Sequence, residues 1–430
     1  MAVSNGSLVR THRHMGLVQE VFTKDILDGL AGSMAIGHVR YSTAGESHVR
    51  NSQPISVQTG RGHVAVAHNG TLTNAHEVRR MLEQAGSIFH TSSDTESFVH
   101  LIARSRRAGF LDRILDALAE VKGAYSLLFL SERQMVAVRD PHGFRPLSLG
   151  LLGRSPAIAS ESCAFDLVGG RLVRDVKPGE VIAIDRDCRS LRGLRSLFPL
   201  ERRDTHTCIF EFIYFARPNS VIDGRSVHEA RIAMGRRLAL EHPVEAEVVI
   251  PLPDSGTPAA IGFARESHIP FEMGLIRSHY VGRTFIEPRS SIRNFGVKLK
   301  LSCVRSVLAD RRVVIVDDSI VRGTTSRKIV KMVREAGARQ VHLRISSPPT
   351  RHPCFYGIDT PNRRELIASR SSVARIAEFL EVDSLGYLSL DGVREAAGPG
   401  SGFCDACFSG DYAVPIPSTP ADPRTRPRGV

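Results

Sequence analysis

Several features that would assign a protein to a class at once are missing from this sequence. No stretch of the chain approaches the roughly 18 consecutive apolar residues that a membrane-spanning helix needs, which predicts no membrane span. The N-terminal stretch MAVSNGSLVRTHRHMGL lacks the apolar core of a secretory signal. These two absences favour a cytoplasmic protein without a membrane partner.

Motifs that read nucleic acids are also absent. The chain contains no tryptophan, no zinc-finger spacing of cysteines and histidines, and no aromatic RNA-binding motif. Its formal net charge of +12 is spread over short basic runs. Such a diffuse excess of cations also suits small polyanions such as sugar phosphates, because it raises their local concentration. Nucleic-acid binding is therefore not expected.

The remaining composition is that of an ordinary globular chain, with 42% apolar and 24% charged residues in a length of 430. Residues 1–200 alternate short strands with a few helices, which predicts an α+β domain. Residues 205–395 show strand, loop, helix and strand in succession, which predicts an α/β domain with a parallel sheet. Residues 396–430 contain a Cys-x-x-Cys pair and a Pro-rich tail, predicted to be disordered from Tyr412 onwards.

The most informative stretch is RRVVIVDDSIVRGTTSRKIVKMVREAGA, residues 311–338. An apolar strand ends in Asp317 and Asp318, and the Gly-Thr-Thr loop 323–325 then leads into a helical pattern. Ligands of parallel sheets bind at the carboxyl ends of the strands, and backbone N–H groups at a helix start attract anions. Two carboxylates beside such a cradle can hold ribose hydroxyls or a bound Mg²⁺.

Part of this pattern has simpler explanations. A strand end with surface aspartates before an N-capped helix would produce it, and so would a P-loop variant without its lysine. The full string is more specific and resembles the phosphoribosyl-pyrophosphate (PRPP) signature of type I phosphoribosyltransferases. The stretch VVIPLPDSG would place Asp254 and Ser255 beside the same ligand. The basic stretch 278–300 is expected to be a lid over it, with an ordinary surface loop as the alternative.

Three stretches in the N-terminal half point to a second chemistry. GHVRYSTAG (37–45), AVAHNGTLTNA (65–75) and TSSDTE (91–96) resemble the glutamine-site motifs of class II glutamine amidotransferases. Joined to the PRPP signature, they make the chain resemble the amidophosphoribosyltransferases over about residues 5–410. The resemblance implies a class II glutaminase sandwich of αββα (Ntn) type followed by a type I phosphoribosyltransferase fold. It also implies the first step of de novo purine synthesis, in which PRPP and ammonia from glutamine give 5-phosphoribosylamine and pyrophosphate.

The resemblance further assigns roles to individual residues. Arg40 would bind the carboxylate of glutamine and Asp94 its ammonium group. Asn69 and Gly70 would form the oxyanion hole. The implied PRPP residues are Asp317, Asp318, Gly323, Thr324 and Thr325, and the implied Mg²⁺ ligands are Ser255, Asp317 and Asp318. Purine nucleotides are implied as feedback inhibitors, and a homo-oligomer is implied as the assembly.

Four of the seven cysteines are placed to share a metal. Cys404 and Cys407 form the C-x-x-C pair, a spacing that suits either zinc or thiol redox chemistry. Cys208 and Cys354 complete four thiolates, enough for tetrahedral zinc or for a [4Fe–4S] cluster. The resemblance implies the cluster, as in the iron–sulfur type of these enzymes. The other cysteines are expected to be buried small apolar residues, namely Cys163, Cys188 and Cys303.

One residue that the resemblance requires is missing. The family's glutaminase nucleophile is an N-terminal cysteine, and no cysteine precedes Cys163 in this sequence. As written, the sequence predicts a glutaminase domain truncated at its first strands, with free ammonia as the nitrogen donor. Three explanations stay open: a misassigned start or clipped fragment, an ammonia-dependent enzyme, or a PRPP-binding regulator without turnover.

Overall fold

Two layered regions make up the described part of the chain, residues 1–40, 48–201, 203–278, 301–360, 362–398 and 402–416 of a computed structural model. The strands of the first region are β1 Ala2–Ser4, β2 Val9–Thr11, β3 Met34–Ile36, β4 Ile55–Thr59, β5 Gly62–Leu72, β6 Gly123–Leu130, β7 Gln134–Arg139, β8 Ser148–Leu152, β9 Ser155–Ala159, β10 Arg171–Asp175, β11 Val181–Asp185 and β12 Arg195–Leu197. Its helices are α1 Val18–Val21, α2 Lys24–Asp28, α3 Ala75–Gln84, α4 Glu96–Arg104, α5 Phe110–Glu120 and α6 Cys163–Leu167, with 3₁₀ turns at Val49–Asn51 and Leu191–Gly193.

The first region is a sandwich with helices outside and sheets inside. Its main sheet is antiparallel and runs β12-β11-β7-β6-β5-β4. Along β5, Val64 and Val66 face the core shared with α3, α4 and α5, while Ala65 faces the small sheets β2-β1-β3 and β10-β8-β9. On the far side, α6 packs against β8, where Phe165 covers Gly150. The predicted αββα fold class is confirmed.

The second region is built around a parallel sheet. Its strands are β13 Thr207–Cys208, β14 Val221–Ile222, β15 Arg225–Ser226, β16 Val248–Pro251, β17 Leu275–Arg277, β18 Leu301–Cys303, β19 Arg312–Asp317, β20 Gln340–Ile345, β21 Ser384–Tyr387 and β22 Phe403–Cys404. Its helices are α7 Val227–Glu241, α8 Thr257–Ser267, α9 Arg305–Leu308, α10 Thr324–Glu335, α11 Val373–Leu380, α12 Leu390–Ala397 and α13 Ala406–Ser409, with a π-helical turn at Glu211–Phe215 and 3₁₀ turns at Arg363–Glu365 and Ile367–Ser369.

The parallel sheet has the order β16-β19-β20-β21 and carries helices on both faces. In β19, Val314 and Val316 pack towards α7 and α8, while Val313 and Ile315 pack towards α10 and α11. A strand buried on both faces explains its unbroken apolar sequence. The succession β19, α10, β20 is the βαβ unit predicted from the sequence, and it brings the carboxyl ends of neighbouring strands to one edge.

Helix α4 begins without the cap that its sequence pattern suggests. The order Ser93-x-x-Glu96 is typical of a capping box, in which Ser93 would cap the helix and Glu96 would reach back to it. In the structure α4 begins at Glu96, and no side chain caps it. The Glu96 carboxylate accepts hydrogen bonds from the backbone N–H groups of His90 and Thr91, at 2.8 and 2.7 Å. The capping box does not form, because the Glu96 carboxylate accepts hydrogen bonds from two N–H groups of the preceding loop instead.

The C-terminal segment returns to the body of the protein. Strand β22 pairs in parallel with β13. Tyr412 and Val414, which the sequence assigned to the disordered tail, are packed instead: the Tyr412 hydroxyl donates to the Pro353 carbonyl at 2.6 Å, and the Val414 N–H donates to the Tyr356 hydroxyl at 2.9 Å. The start of the predicted tail is thus ordered, and residues 417–430 lie outside the described part.

Two further expectations can be placed here. Cys163 is buried, but Cys188 and Cys303 are only half-buried, so the expectation of burial is wrong for those two. The predicted lid at 278–300 lies outside the described residues from position 279 onwards. Among the residues that the structure describes, no helix has the length and apolar character to cross a membrane.

Candidate functional site

Two buried carboxylates lie at the carboxyl end of β19. Asp317 is 5% exposed and Asp318 6% exposed. The Asp318 N–H donates to Asp317 Oδ1 at 2.8 Å, and the Ser319 hydroxyl donates to Asp318 Oδ1 at 2.6 Å. Burial raises the pKa of Asp317, and the neighbouring charge of Asp318 raises it further. Two crowded acids of this kind are stabilised as anions by a bound cation.

Ser255 reaches the same place from the neighbouring strand. It follows β16, which pairs with β19 from Val248 to Pro251. Burial raises the pKa of Asp318, and a hydrogen bond from Ser255 opposes that rise. The structure therefore brings Ser255, Asp317 and Asp318 together, as the sequence predicted.

The loop between β19 and α10 presents open backbone donors. Gly323 has φ of +75°, and a Cβ atom there would lie 3.1 Å from Ile367 Cδ1, so the turn favours glycine. Helix α10 begins at Thr324, and the side chains of Thr324 and Thr325 are exposed. The first N–H groups of a helix have no partner within it. This loop can therefore donate hydrogen bonds to an anion, which the helix dipole also favours.

Arg231 belongs to this site, although sequence reasoning did not select it. It is 3% exposed on α7, and its guanidinium donates to the carbonyls of Phe212 and Ala216, each at 2.8 Å. Burial lowers the pKa of Arg231, and the Asp318 charge opposes that shift. A signal was available, because Arg231 falls on the apolar stripe of α7 beside Ala230 and Met234.

The predicted glutamine-site residues meet at the end of β5. Asn69 and Gly70 lie on this strand, and the Leu72 N–H donates to Asp94 Oδ2 at 2.9 Å. The charge of Asp94 raises the pKa of Arg40, against the larger lowering by burial, which indicates that the two side chains are close. Position 70 needs glycine, because its φ is +151° and a Cβ atom would lie 2.1 Å from the carbonyl oxygen of Ala124.

Two histidines, His68 and His38, lie against this cluster and were not predicted. His68 is 4% exposed, with Nδ1 at 3.8 Å from Asp94 Oδ1 and 3.3 Å from the hydroxyl of Thr95. Burial lowers the pKa of His38 to about 4, with a further contribution from His68. His38 is therefore neutral at pH 7, and its Nδ1 has no hydrogen-bond partner in the described structure. Both lie within the quoted motifs, close in sequence to the predicted residues Arg40 and Asn69.

The glutamine cluster touches the second region through two glycines. A Cβ atom on Gly357, whose φ is +113°, would lie 3.0 Å from the Cα atom of Gly70. Gly357 comes three residues after Cys354. The backbone that carries a predicted oxyanion-hole residue therefore packs directly on a loop next to the predicted cluster site.

The four predicted cysteines line one small cavity. Cys208 faces Cys404 across the β13–β22 pair, and Cys354 and Cys407 complete the lining, together with Phe210, Tyr356 and Tyr412 among others. The Tyr356 N–H donates to Cys354 Sγ at 3.3 Å. Burial raises the pKa of Cys208 to about 12, and it raises the pKa values of Cys404 and Cys407 well above the ordinary range. Buried thiols of this kind ionise readily only when a metal takes the place of their protons.

The four thiols around this cavity could serve either of the two metal groups predicted above. Within the described residues, no three His, Cys, Asp or Glu side chains converge on a point where a single ion could sit. Four thiolates are enough for tetrahedral zinc or for a [4Fe–4S] cluster.

Comparison with known proteins decides the family. The profile of a glutamine amidotransferase domain matches residues 38–166. Amidophosphoribosyltransferase 1, chloroplastic, of Arabidopsis thaliana is 53% identical over 416 residues, covering 96% of this chain and 73% of the relative. Amidophosphoribosyltransferase of Bacillus subtilis is 47% identical over 422 residues, covering 97% and 88%.

The chain belongs to the amidophosphoribosyltransferases. Members of this family are pentosyltransferases that act at the first step of purine biosynthesis, as the sequence predicted. The fold agrees with this assignment. The Bacillus subtilis glutamine PRPP amidotransferase, solved in complex with ADP and GMP, superposes with a TM-score of 0.90 at 46% identity, covering 97% of this chain and 91% of that structure. A second structure, of the allosteric regulatory enzyme of purine biosynthesis, gives 0.91 at 48% identity, covering 97% and 90%.

Proposed function

We propose that PRPP binds at the carboxyl end of the parallel sheet and that ammonia displaces its pyrophosphate there. The observation that carries this assignment is the pair of buried carboxylates at the end of β19, beside the open N–H groups that begin α10. The 5′-phosphate would accept hydrogen bonds from the loop 323–325, and the ribose hydroxyls would lie against Asp317 and Asp318. The phosphate then meets hydrogen-bond donors, and the ribose hydroxyls meet carboxylate acceptors.

The chain's own residues prepare this site for a cation. Asp317 and Asp318 repel each other in a buried place, so both gain from a positive charge between them and the substrate. Ser255 supplies a third oxygen from the adjacent strand, and oxygen ligands are those that Mg²⁺ prefers. When bound, Mg²⁺ would neutralise negative charge on the leaving pyrophosphate. The charge of Arg231, which is buried near Asp318, opposes the rise that burial causes in the pKa of that carboxyl group.

The test is pyrophosphate release from PRPP with ammonium as the nitrogen donor, which makes the result independent of the glutamine site. We expect Asp317→Asn to lower turnover on the order of 100-fold or more, since it removes a charge that acts on the reacting groups. Asp391→Asn, at an exposed position on α12, is the matched control and should retain the wild-type rate. An unchanged rate in Asp317→Asn would overturn the assignment of this site. Glutamine, tested in parallel as the donor, addresses the prediction that only free ammonia is used.

We further propose that Cys208, Cys354, Cys404 and Cys407 hold a [4Fe–4S] cluster. The support is the cavity that the four cysteines share and the hydrogen bond that the Tyr356 N–H donates to Cys354 Sγ. The cluster would tie the C-terminal segment to β13 and to the 351–360 loop, and that loop packs on the first region where Gly357 meets Gly70.

Anaerobic purification followed by iron and sulfide analysis tests the cluster. We expect about four iron atoms per chain, with iron lost from Cys354→Ser and retained in Cys303→Ser. Zinc in place of iron, or equal iron content in the two variants, would refute the proposal. Purine nucleotides as inhibitors and a homo-oligomeric assembly stay predictions from the sequence resemblance.

A further inference from the structure

A second cleft lies on the surface between the PRPP loop and the cysteine cavity. It has a volume of about 490 Å³, and its polar lining consists of Arg351, His352, Arg363, Arg370, Ser371 and Ser372 among others. None of these residues belongs to the candidate site described above. The volume lies within the range of about 300–1,000 Å³ that is typical of sites for small ligands.

Among the described residues, the arginines of this cleft have no anionic partner. In the part of the chain that the structure describes, no carboxylate forms an ion pair with the side chains of Arg351, Arg363 or Arg370. The acid nearest to them in sequence is Glu365, and it is engaged elsewhere: it accepts hydrogen bonds from Arg322 Nε at 2.8 Å and from Asn362 Nδ2 at 2.7 Å. Three cations that line one cleft without a counter-charge repel each other, so an anion bound among them would be stabilised.

Three serines that line the same cleft add neutral donors. Ser372 caps helix α11, where its hydroxyl accepts a hydrogen bond from the Arg375 N–H at 3.4 Å, so the positive end of this helix dipole faces the cleft. Ser371 and Ser369 also line it. Guanidinium groups together with hydroxyls and a helix start are the donor set that recognises phosphate, because guanidinium forks match its oxygens in pairs.

We propose that this arginine cleft binds a phosphate group, either free phosphate or the phosphate of a small ester. The site is separate from the PRPP cradle, and the proposal does not depend on the function assigned there. The same guanidinium and hydroxyl groups could bind orthophosphate, pyrophosphate or a nucleoside monophosphate, and the volume of the cleft admits all three.

The cleft is connected by hydrogen bonds to both of the other sites. On one side, the Ile367 N–H donates to the Val321 carbonyl at 3.0 Å, next to the PRPP loop. On the other side, the N–H groups of Arg351 and His352 both donate to the carbonyl of Cys407 at 3.0 Å. A ligand that orders the two hydrogen-bonded segments around Arg351 and Ile367 would also act on the loop that begins after β19. One consequence rests on the proposed function of that loop: occupancy of the cleft should shift the KM for PRPP more than it shifts kcat.

The experiment is equilibrium dialysis of the cluster-loaded full chain against labelled orthophosphate, pyrophosphate or adenosine 5′-monophosphate. The cleft variant is Arg363→Gln combined with Arg370→Gln, and the matched control is Arg236→Gln with Arg237→Gln on α7, which removes the same charge elsewhere. Thr324→Ala with Thr325→Ala weakens the PRPP cradle and separates binding there from binding in the cleft. Thermal melts of all variants confirm that they fold, which is expected because the altered side chains are exposed.

For at least one of the three probes, we expect one class of sites whose binding affinity falls tenfold or more in the cleft variant. The control and the threonine variant should keep the wild-type affinity at these sites. The probe that binds most tightly then identifies the source of the phosphate group. Equal binding of all three probes by wild type and the cleft variant would overturn the proposal. So would loss of all binding in the threonine variant alone, because phosphate would then occupy only the PRPP cradle.

Discussion

At the scale of single residues, glycines decide how closely the two regions approach each other. Gly70 and Gly357 bring two backbones together at a distance that leaves no room for a side chain. Because Gly70 is a predicted oxyanion-hole residue, this contact sets the position of a candidate catalytic group from outside its own sheet. The contribution of this contact to stability can be measured by adding one methyl group at Gly357.

Gly357→Ala should destabilise the protein more than backbone strain alone explains. A left-handed backbone conformation costs a non-glycine residue about 1–2 kcal/mol, and the forced contact with Gly70 should add roughly 1–3 kcal/mol. Gly224→Ala is the control, because its φ is +77° and a Cβ atom there would meet nothing within 4 Å. Urea unfolding of both variants gives the difference, and equal losses would mean that the contact is loose.

The sequence predicted the two aspartates at the end of β19, with Ser255 and the loop 323–325, but not the buried Arg231 near them. Asp317 and Asp318 stand out because acids follow an apolar strand directly, a local pattern that needs no knowledge of the fold. Arg231 and His38 are recognised only because they are buried at the two sites. Burial depends on residues that are distant in the sequence. The approach of Gly357 to Gly70 is equally hidden, since 287 positions separate them.

At the scale of elements, helix α4 shows how one side chain can hold a loop in place of a cap. Burial would raise the pKa of Glu96, but the His100 ring, with Nε2 at 3.7 Å from Glu96 Oε1, and hydrogen bonds from the N–H groups of His90 and Thr91 outweigh it and lower the pKa to about 2. The loop that these bonds hold contains Asp94. Loop order near the glutamine cluster therefore depends on a charged Glu96.

This arrangement predicts an acid-sensitive contribution to stability. Because the folded pKa of Glu96 is depressed, its contribution is fully present above the unfolded value of about 4.3 and is lost as the pH falls towards 2. Glu96→Gln should therefore flatten the dependence of the unfolding free energy on pH between about 5 and 3. Glu77→Gln, an exposed acid on α3, is the control. The same slope in wild type and Glu96→Gln would contradict the assignment.

At the scale of the whole molecule, buried ion pairs join the two regions. Arg145, which follows β7, lies 3.0 Å from Glu211 of the π-helical turn, and their side chains are 2% and 1% exposed. Arg139 forms a second bridge to Asp223 at 2.9 Å. Burial raises the pKa of Glu211, and Arg145 opposes that rise. The first bridge is therefore fully buried, whereas Asp223 in the second remains 23% exposed.

A double-mutant cycle on the first bridge should show strong coupling. Arg145→Met or Glu211→Gln alone leaves the partner buried without its counter-group, which should cost about 3–5 kcal/mol, whereas the double variant should cost less than the sum. The exposed pair Arg312–Glu245, at 3.3 Å, is the reference and should show a coupling of about 0–1 kcal/mol. Additive losses at Arg145 and Glu211 would mean that the bridge contributes nothing as a pair.

These bridges bear on how such a protein can change in evolution. Each region contributes one charge whose neutralising partner lies in the other, so either region, taken up by a new chain, would carry a buried ion without its counterpart. Recombination between distant relatives should therefore succeed only when both halves of a bridge are inherited together. We infer that the interface restricts domain shuffling, so that the two regions are inherited together.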